Sequence, residues 1–451
     1  MPELDLILRG ATVVTDSIAF IADIGIADGK IAAISSNLKA SAKMEQSLAG
    51  FHVFPGVIDS HVHFNEPGRT EWEGIATGSM ALVAGGGTLF FDMPLNSHPP
   101  TLDGASFDLK FREAKSNSMT DFALWGGLTP VNLESMEELA ERGVIGFKAF
   151  MSESGIEDFS RADFSVLKEG MQRSAALKRV VAVHAESDTL TKKLAAESVS
   201  ECCTSIRDYL NSRPVEAELE AIRIAIDLSG ETGCALHVVH VSSGAGVGLI
   251  AEAKARGIDV TCETCPHYLV LTEEDVERLG AIAKCAPPLR SPQEQEFLWN
   301  QLNRGFIDII GSDHSPAPPG MKLDSNFFKV WGGISGVQHT LPLLLTSADR
   351  MNGDSLVTIA SMTSFNPARR FSLPESKGSI RLGSDADLAI VDFNRSFDVV
   401  SDGLFYRHRQ SPYIGRRLKG WVTQTILRGK TIFQDGKCVA NPSGNLIKPT
   451  L

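Results

Sequence analysis

The chain has 451 residues, of which 43% are apolar and 22% charged, with a formal net charge of −12 at pH 7. That charge argues against a nucleic-acid partner, which requires a basic face, and no apolar run approaches the roughly 20 residues of a membrane span. The length exceeds one compact core and predicts a large domain with a smaller companion.

Residues 1–54 alternate apolar and polar positions and read as short strands, with turns expected at Arg9-Gly10 and Asp28-Gly29. The opening Met1-Pro-Glu-Leu-Asp5 lacks the basic-then-apolar order of a signal peptide. Across 55–370, runs rich in Val and Ile alternate with stretches of helical spacing at 134–142, 215–228, 246–255 and 293–302. Such alternation predicts a parallel sheet with helices outside it, closed into a (β/α)8 TIM barrel. Residues 371–451 return to a turn and strands, and Thr425-Ile-Leu-Arg-Gly-Lys-Thr-Ile-Phe433 resembles Leu6-Ile-Leu-Arg-Gly-Ala-Thr-Val-Val14. Both ends, 1–54 and 371–451, are therefore expected to pair into one small β-sandwich beside a 55–370 barrel.

Five apolar runs each end on a residue suited to a metal. They are Val57-Ile-Asp-Ser-His-Val-His63, Val144-Ile-Gly-Phe-Lys148, Val180-Val-Ala-Val-His184, Leu236-His-Val-Val-His240 and Ile307-Asp-Ile-Ile-Gly-Ser-Asp313. Strand ends are where a (β/α)8 barrel carries its chemistry. His61 and His63 stand two apart, so on a strand both imidazoles face one side and reach one ion. His184 and His240 gain meaning as partners of that pair. Lys148 closes an apolar run and is expected to be buried, which disfavours the ammonium. A neutral amine takes up carbon dioxide, and the resulting carbamate offers two oxygens to two ions. A lysine paired with a carboxylate is the competing reading. Asp313 is placed to bind metal and to move the proton of an attacking water. These donors suit Zn(II), Fe(II), Co(II) or Mn(II). His237, an odd number from His240, is expected to face the helices; His267 and His314 are candidates to line the site.

Seven cysteines (Cys202, Cys203, Cys234, Cys262, Cys265, Cys285 and Cys438) form no framework and read as reduced thiols of a cytoplasmic protein. Cys262-Glu-Thr-Cys265 has a C-x-x-C spacing, but it has no second pair and lies in a strand-like run, so it reads as structural.

These residues resemble the cyclic amidohydrolase branch of the amidohydrolase superfamily over essentially the whole chain. The likeness rests on Pro55-Gly-Val-Ile-Asp-Ser-His-Val-His63, Gly146-Phe-Lys148, His184-Ala-Glu186, His240-Val-Ser-Ser243, Cys265-Pro-His267, Pro287-Pro-Leu-Arg290 and Ser312-Asp-His-Ser-Pro316. Within the branch, 63–74, Asp92-Met-Pro-Leu-Asn-Ser97, Lys329-Val-Trp-Gly-Gly-Ile-Ser-Gly336 and Ser411-Pro-Tyr-Ile-Gly415 look most like allantoinases. Dihydroorotases usually have an arginine at the position of Asn65, Met-Pro-Asn-Thr at Met93-Pro-Leu-Asn96, and a final His at the position of Ala317. Glu66-Pro-Gly-Arg69 and Trp331-Gly-Gly333 differ from the hydantoinase pattern. Many relatives have a serine before the double proline; here the segment is Cys285-Ala286-Pro287.

The resemblance implies a binuclear metal centre, zinc first among the candidate metals, in a (β/α)8 barrel with a β-sandwich built from both ends. One ion would take His61, His63, Lys148 and Asp313, and the other Lys148, His184 and His240, with Lys148 as N6-carboxylysine. The implied activity is hydrolysis of the cyclic amide of allantoin to allantoate, in purine (ureide) catabolism, with Asp313 as the catalytic proton carrier. Asn65, Asn96, Cys285, Ala286, Gly332 and Gly333 are the expected substrate contacts. Arg69 is a further candidate, against a salt bridge to Glu71 or Glu73. The implied assembly is a homo-oligomer, a tetramer or dimer, with neither nucleic acid nor membrane as partner. The alternatives are a hydantoinase or dihydropyrimidinase on the same machinery, and a silent scaffold, which usually lacks the ligands that this chain retains. Loops 64–74 and 150–163 are expected to act as lids.

Overall fold

The computed structural model describes residues 3–450. Eight strand positions form the barrel: Val57–Val62, Gly87–Asp92, Asp121–Leu124 continued by Gly126–Gly127, Gly146–Phe150, Val180–His184, Leu236–Val238, Val260–Thr264 and Ile309–Ile310. Their ladders are all parallel. The amide of Ile145 bonds Leu124 O (2.9 Å) between the third and fourth strands, and a bridge from Val62 to His314 joins the last strand end to the first.

Parallel neighbours need crossovers, and helices supply them on the outside. Asp103, Asp163, Ser243 and Ser291 each accept a hydrogen bond from the amide three residues on, which stabilises the helices Gly104–Asn117, Phe164–Ala176, Gly244–Ala255 and Pro292–Asn303. Helix Val215–Thr232 runs four residues past the predicted end and stops at Gly233, at φ 68°. The predicted helix at 134–142 is a short 3-10 turn, Leu133–Ser135, followed by Met136–Arg142.

Inward-facing Ile58, Leu89, Ala123, Ile145, Ala182 and Ile309 fill the barrel with Trp125, whose indole N–H bonds Ser60 O at 3.1 Å. Phe371 packs edge-on against Phe91, Trp125 and His237, with ring centroids 5.2–5.3 Å apart. Lys148, Ala182, His237 and Thr261 stand opposite one another across four strands. His237 therefore points into the barrel, where its Nδ1 lies 2.8 Å from Thr261 Oγ1. This corrects the expectation that it faces the helices. The strand ends at Val238, and His240 takes a left-handed φ of 39°, so alternation cannot be counted from one histidine to the other.

Both chain ends enter one nine-stranded sheet, in which His52–Pro55 pairs with Leu388–Asp398. The sheet wraps a core of its own that includes Leu8, Val13, Ile24, Val53, Leu388, Ile390 and Ile426. Strand Leu4–Val14 shares its two halves between Ala42–Ser47 and His52–Pro55. The Arg-Gly pairs of the two similar segments fold differently. Arg428 and Gly429, at φ 44° and 73°, make a two-residue hairpin turn, as do Asp28 and Gly29. At Arg9-Gly10 only the glycine is left-handed, so the chain makes a bulge inside one strand instead of the expected turn. The two segments do not pair with each other; Leu388–Asp398 and His52–Pro55 lie between them.

Lys377 joins barrel to sheet. Its buried ammonium donates to Asp121 and Asp387, both at 2.7 Å, and lies 3.0 Å from Asp385. Burial lowers its pKa, but Asp387 and Asp121 outweigh that and raise it. Lys377→Met would leave buried carboxylates facing one another, so a loss of ~3–5 kcal/mol is expected, read as a lower denaturant midpoint. An unchanged midpoint would discard this joint.

Candidate metal centre

The barrel strand ends bring the predicted donors together. His61 Nε2 and His63 Nε2 lie 3.3 and 3.5 Å from Asp313 Oδ1. Donor atoms of these three residues all fall within 4.8 Å of one another. Next to them, His184 Nδ1 faces His240 Nε2 at 3.0 Å. The His61 and His240 rings are 5.4 Å apart, which links the two groups.

Outer carboxylates set the imidazole tautomers. His61 Nδ1 donates to Glu263 Oε1 (2.9 Å), and Ser60 Oγ donates to the other oxygen of Glu263 (2.5 Å). His184 Nε2 donates to Glu186 Oε2 (2.8 Å), which is also paired with Arg213. With those bonds made, His61 Nε2 and His184 Nδ1 face the site. Burial holds His63, His184 and His240 below the ordinary histidine pKa, so they stay neutral and suited to metal. Burial also pushes Asp313 up, but His61 and His63 outweigh it and hold the carboxylate down at about 2. Asn96 Nδ2 donates to His63 Nδ1 (3.3 Å), so His63 Nε2 faces the Asp313 carboxylate, while His184 Nδ1 and His240 Nε2 face each other. A cation here would meet imidazole and carboxylate donors that already converge.

Lys148 is fully buried, and among the described residues its Nζ has no hydrogen-bond partner. The competing reading, a lysine paired with a carboxylate at the strand end, fails on that observation. Burial lowers its pKa to about 7, against the opposing charges of Asp313 and Glu263. An unpartnered amine near His184, His240 and the Asp313 carboxylate fits conversion to an anionic bridging group.

Local backbone serves the site. His240 and Asp313 are left-handed at φ 39° and 44°, which turns both side chains off their strand ends. Gly311 has to be glycine, because a Cβ there would lie 2.5 Å from the Glu263 carboxylate. The important residue of the Cys262-Glu-Thr-Cys265 segment is thus Glu263; both cysteines are buried free thiols. The signal for Glu263 was a charge inside an apolar strand.

A cavity of about 350 Å³ opens over the donors and is lined by His61, His63, His184, His240 and Asp313. Asn96, Cys285, Ala286, Gly332 and Gly333 also line it. Asn65 does not. Its side chain is buried against Pro316 O at 3.5 Å. Arg69 meets neither Glu71 nor Glu73: it stacks on Trp72 at 5.3 Å and pairs with Asp158 at 3.7 Å. His267 and His314 are buried but absent from the lining. Sequence reasoning missed Phe150, Tyr209, Arg213 and Lys284, which do line it.

A barrel with this donor set at its strand ends belongs to the metal-dependent hydrolase class, and the sequence profile of the amidohydrolase family matches residues 52–432. The chain is 53% identical to an allantoinase of Rubrobacter xylanophilus, covering 100% of this chain and 98% of the relative. It is 51% identical to an allantoinase of Deinococcus radiodurans, with 99% of both covered. Among solved structures, an L-hydantoinase (dihydropyrimidinase) from Arthrobacter aurescens superposes with a TM-score of 0.96 at 34% identity, covering 99% and 100% of the two chains. The chain belongs to the amidohydrolase family and, within it, to the allantoinases.

Glu263 can be tested alone. Glu263→Gln should loosen the orientation of His61 and weaken metal retention ~10–100-fold, measured by competition with a chelator. Undiminished retention would remove Glu263 from this role.

Proposed function

We propose that this protein hydrolyses a ring amide of allantoin to give allantoate. One observation carries the substrate: 53% identity to an allantoinase over the full chain. The donor set supports the reaction type. His61, His63 and Asp313 would hold one divalent ion and His184 and His240 a second, with Lys148 bridging as N6-carboxylysine. Zinc suits this mix of imidazole and carboxylate first; iron, cobalt and manganese are the other candidates. Such ions, when bound, lower the pKa of a water and polarise a carbonyl.

The chain's own groups do the rest. The Lys148 amine adds to carbon dioxide, forming an N–C bond and releasing a proton. Asp313, ionised at neutral pH, takes a proton from the attacking water and returns it to the ring nitrogen as the C–N bond breaks. Asn96 and the backbones of Cys285, Ala286, Gly332 and Gly333 would hold ring and ureido arm, which their position in the cavity lining supports. The fold divides for function into a 55–370 barrel and a companion from 1–54 and 371–451. A cytoplasmic homo-oligomer, tetramer or dimer, completes the proposal; among the described residues no helix is long and apolar enough to cross a membrane.

The test is a panel of allantoin, 5-substituted hydantoins, dihydrouracil and dihydroorotate, with metal content measured on the same sample. Turnover confined to allantoin is expected. Turnover of hydantoins or dihydrouracil instead would favour the hydantoinase reading, to which the Arthrobacter aurescens likeness lends support. Metallated protein that opens no ring would overturn both.

A further inference from the structure

The cavity wall opposite the imidazoles comes from one segment: Phe328, Lys329, Val330, Trp331, Gly332 and Gly333 all line it. This segment has neither helix nor strand to secure it. Two lysines hold it, Lys284 buried and Lys322 half-buried. Lys284 Nζ donates to the carbonyls of Phe327 (2.6 Å), Val330 (2.6 Å) and Phe328 (3.4 Å). The Lys284 carbonyl accepts the Gly333 N–H at 2.7 Å. Lys322, on the incoming turn Pro319–Lys322, donates to Gly333 O (2.8 Å) and Trp331 O (3.2 Å) and reaches back to Ala281 O (3.2 Å).

An ammonium has three N–H donors, and each lysine meets three carbonyls. Neither has a carboxylate partner among the described residues. Two like charges, one buried and one half-buried, held only by carbonyl dipoles are costly. Lys284 sits 4.3 Å over the Tyr209 ring, in a site already holding Arg213. Burial, Arg213 and Lys322 push its pKa down to about 7. The fold tolerates this cost where the wall needs anchoring. The anchored segment carries Trp331, whose indole N–H has no partner among the described residues. Gly333 cannot gain a side chain, since a Cβ there would lie 2.1 Å from Ser315 O.

We propose that Lys284 and Lys322 are positioning residues, stitching the Phe327–Gly333 wall into place and so setting how tightly the ring amide binds. The binding half of this statement rests on the proposed function; the stitch itself does not. The test compares holoenzyme carrying Lys284→Met or Lys322→Met with the unaltered protein, by amide hydrogen exchange and by KM and kcat on allantoin. Exchange at 327–333 should rise ~10-fold while the barrel strands keep their protection. KM should rise ~10-fold with kcat within ~3-fold, metal content should be unchanged, and Lys322→Arg should restore most of the affinity. Unchanged exchange at 327–333, or a fall in kcat at constant KM, would overturn the proposal. Should the unaltered enzyme open no ring amide, the functional reading fails and the exchange pattern alone decides the stitch. If Lys284→Met does not fold, Lys322→Met carries the same measurements.

Discussion

Lys148→Ala should abolish turnover, a loss of at least ~10³-fold, and the purified variant should retain less metal than the unaltered protein. The residue is fully buried, unpartnered among the described residues and close enough to Asp313, His184 and His240 for their charges to couple. Removing it removes the amine from which a carbamate bridge would form. Its amine is held down at about 7 by burial, so much of it is in the neutral form that adds to carbon dioxide near neutral pH. Alanine leaves a gap of the right size for a small carboxylate. Formate, acetate or propionate added at high concentration should therefore restore part of the activity, in the order of their fit. Full activity without any additive would eliminate the bridge. Loss of turnover with full metal retention would show that Lys148 serves the chemistry without holding the ions.

Asp313→Asn should keep the fold and lower kcat by ~10²–10⁴-fold. The fold argument is local: Asp313 sits at φ 44°, a left-handed position that asparagine accepts as readily as aspartate. The chemical argument is that an amide cannot take up and return a proton. The carboxylate is held down at about 2 because His61 and His63 outweigh its burial, so it remains a base across the neutral range. A far-UV spectrum and melting curve like those of the unaltered protein, with the expected fall in kcat, would support this role. Near-normal turnover would assign the proton transfer elsewhere.

Much of the site was legible because its signals are local. His61-x-His63 needs only the two-residue period of a strand, and Lys148, His184 and Asp313 each follow an apolar run, although only His184 ends its strand; the others stand inside Gly146–Phe150 and beyond Ile309–Ile310. The helices of the crossovers were legible for the same reason, since spacing and capping residues are short-range. What stayed hidden depends on distant pairs. Glu263 orients His61 across 202 positions of sequence. His237 was assigned the wrong face because the strand ended before His240. Arg69 found Asp158, not its neighbours Glu71 and Glu73. Asn65 is held against the Pro316 carbonyl, 251 positions away in sequence.

The sequence by itself determined the barrel with its β-rich companion and the six residues offered to metal, because periodicity and apolar burial act through near neighbours. Only the tertiary structure decided which tautomer each imidazole takes, which residues wall the cavity and how Lys284 and Lys322 hold that wall. Those choices are made by contacts between groups far apart in the chain, and no local pattern encodes a partner that folding brings in from elsewhere.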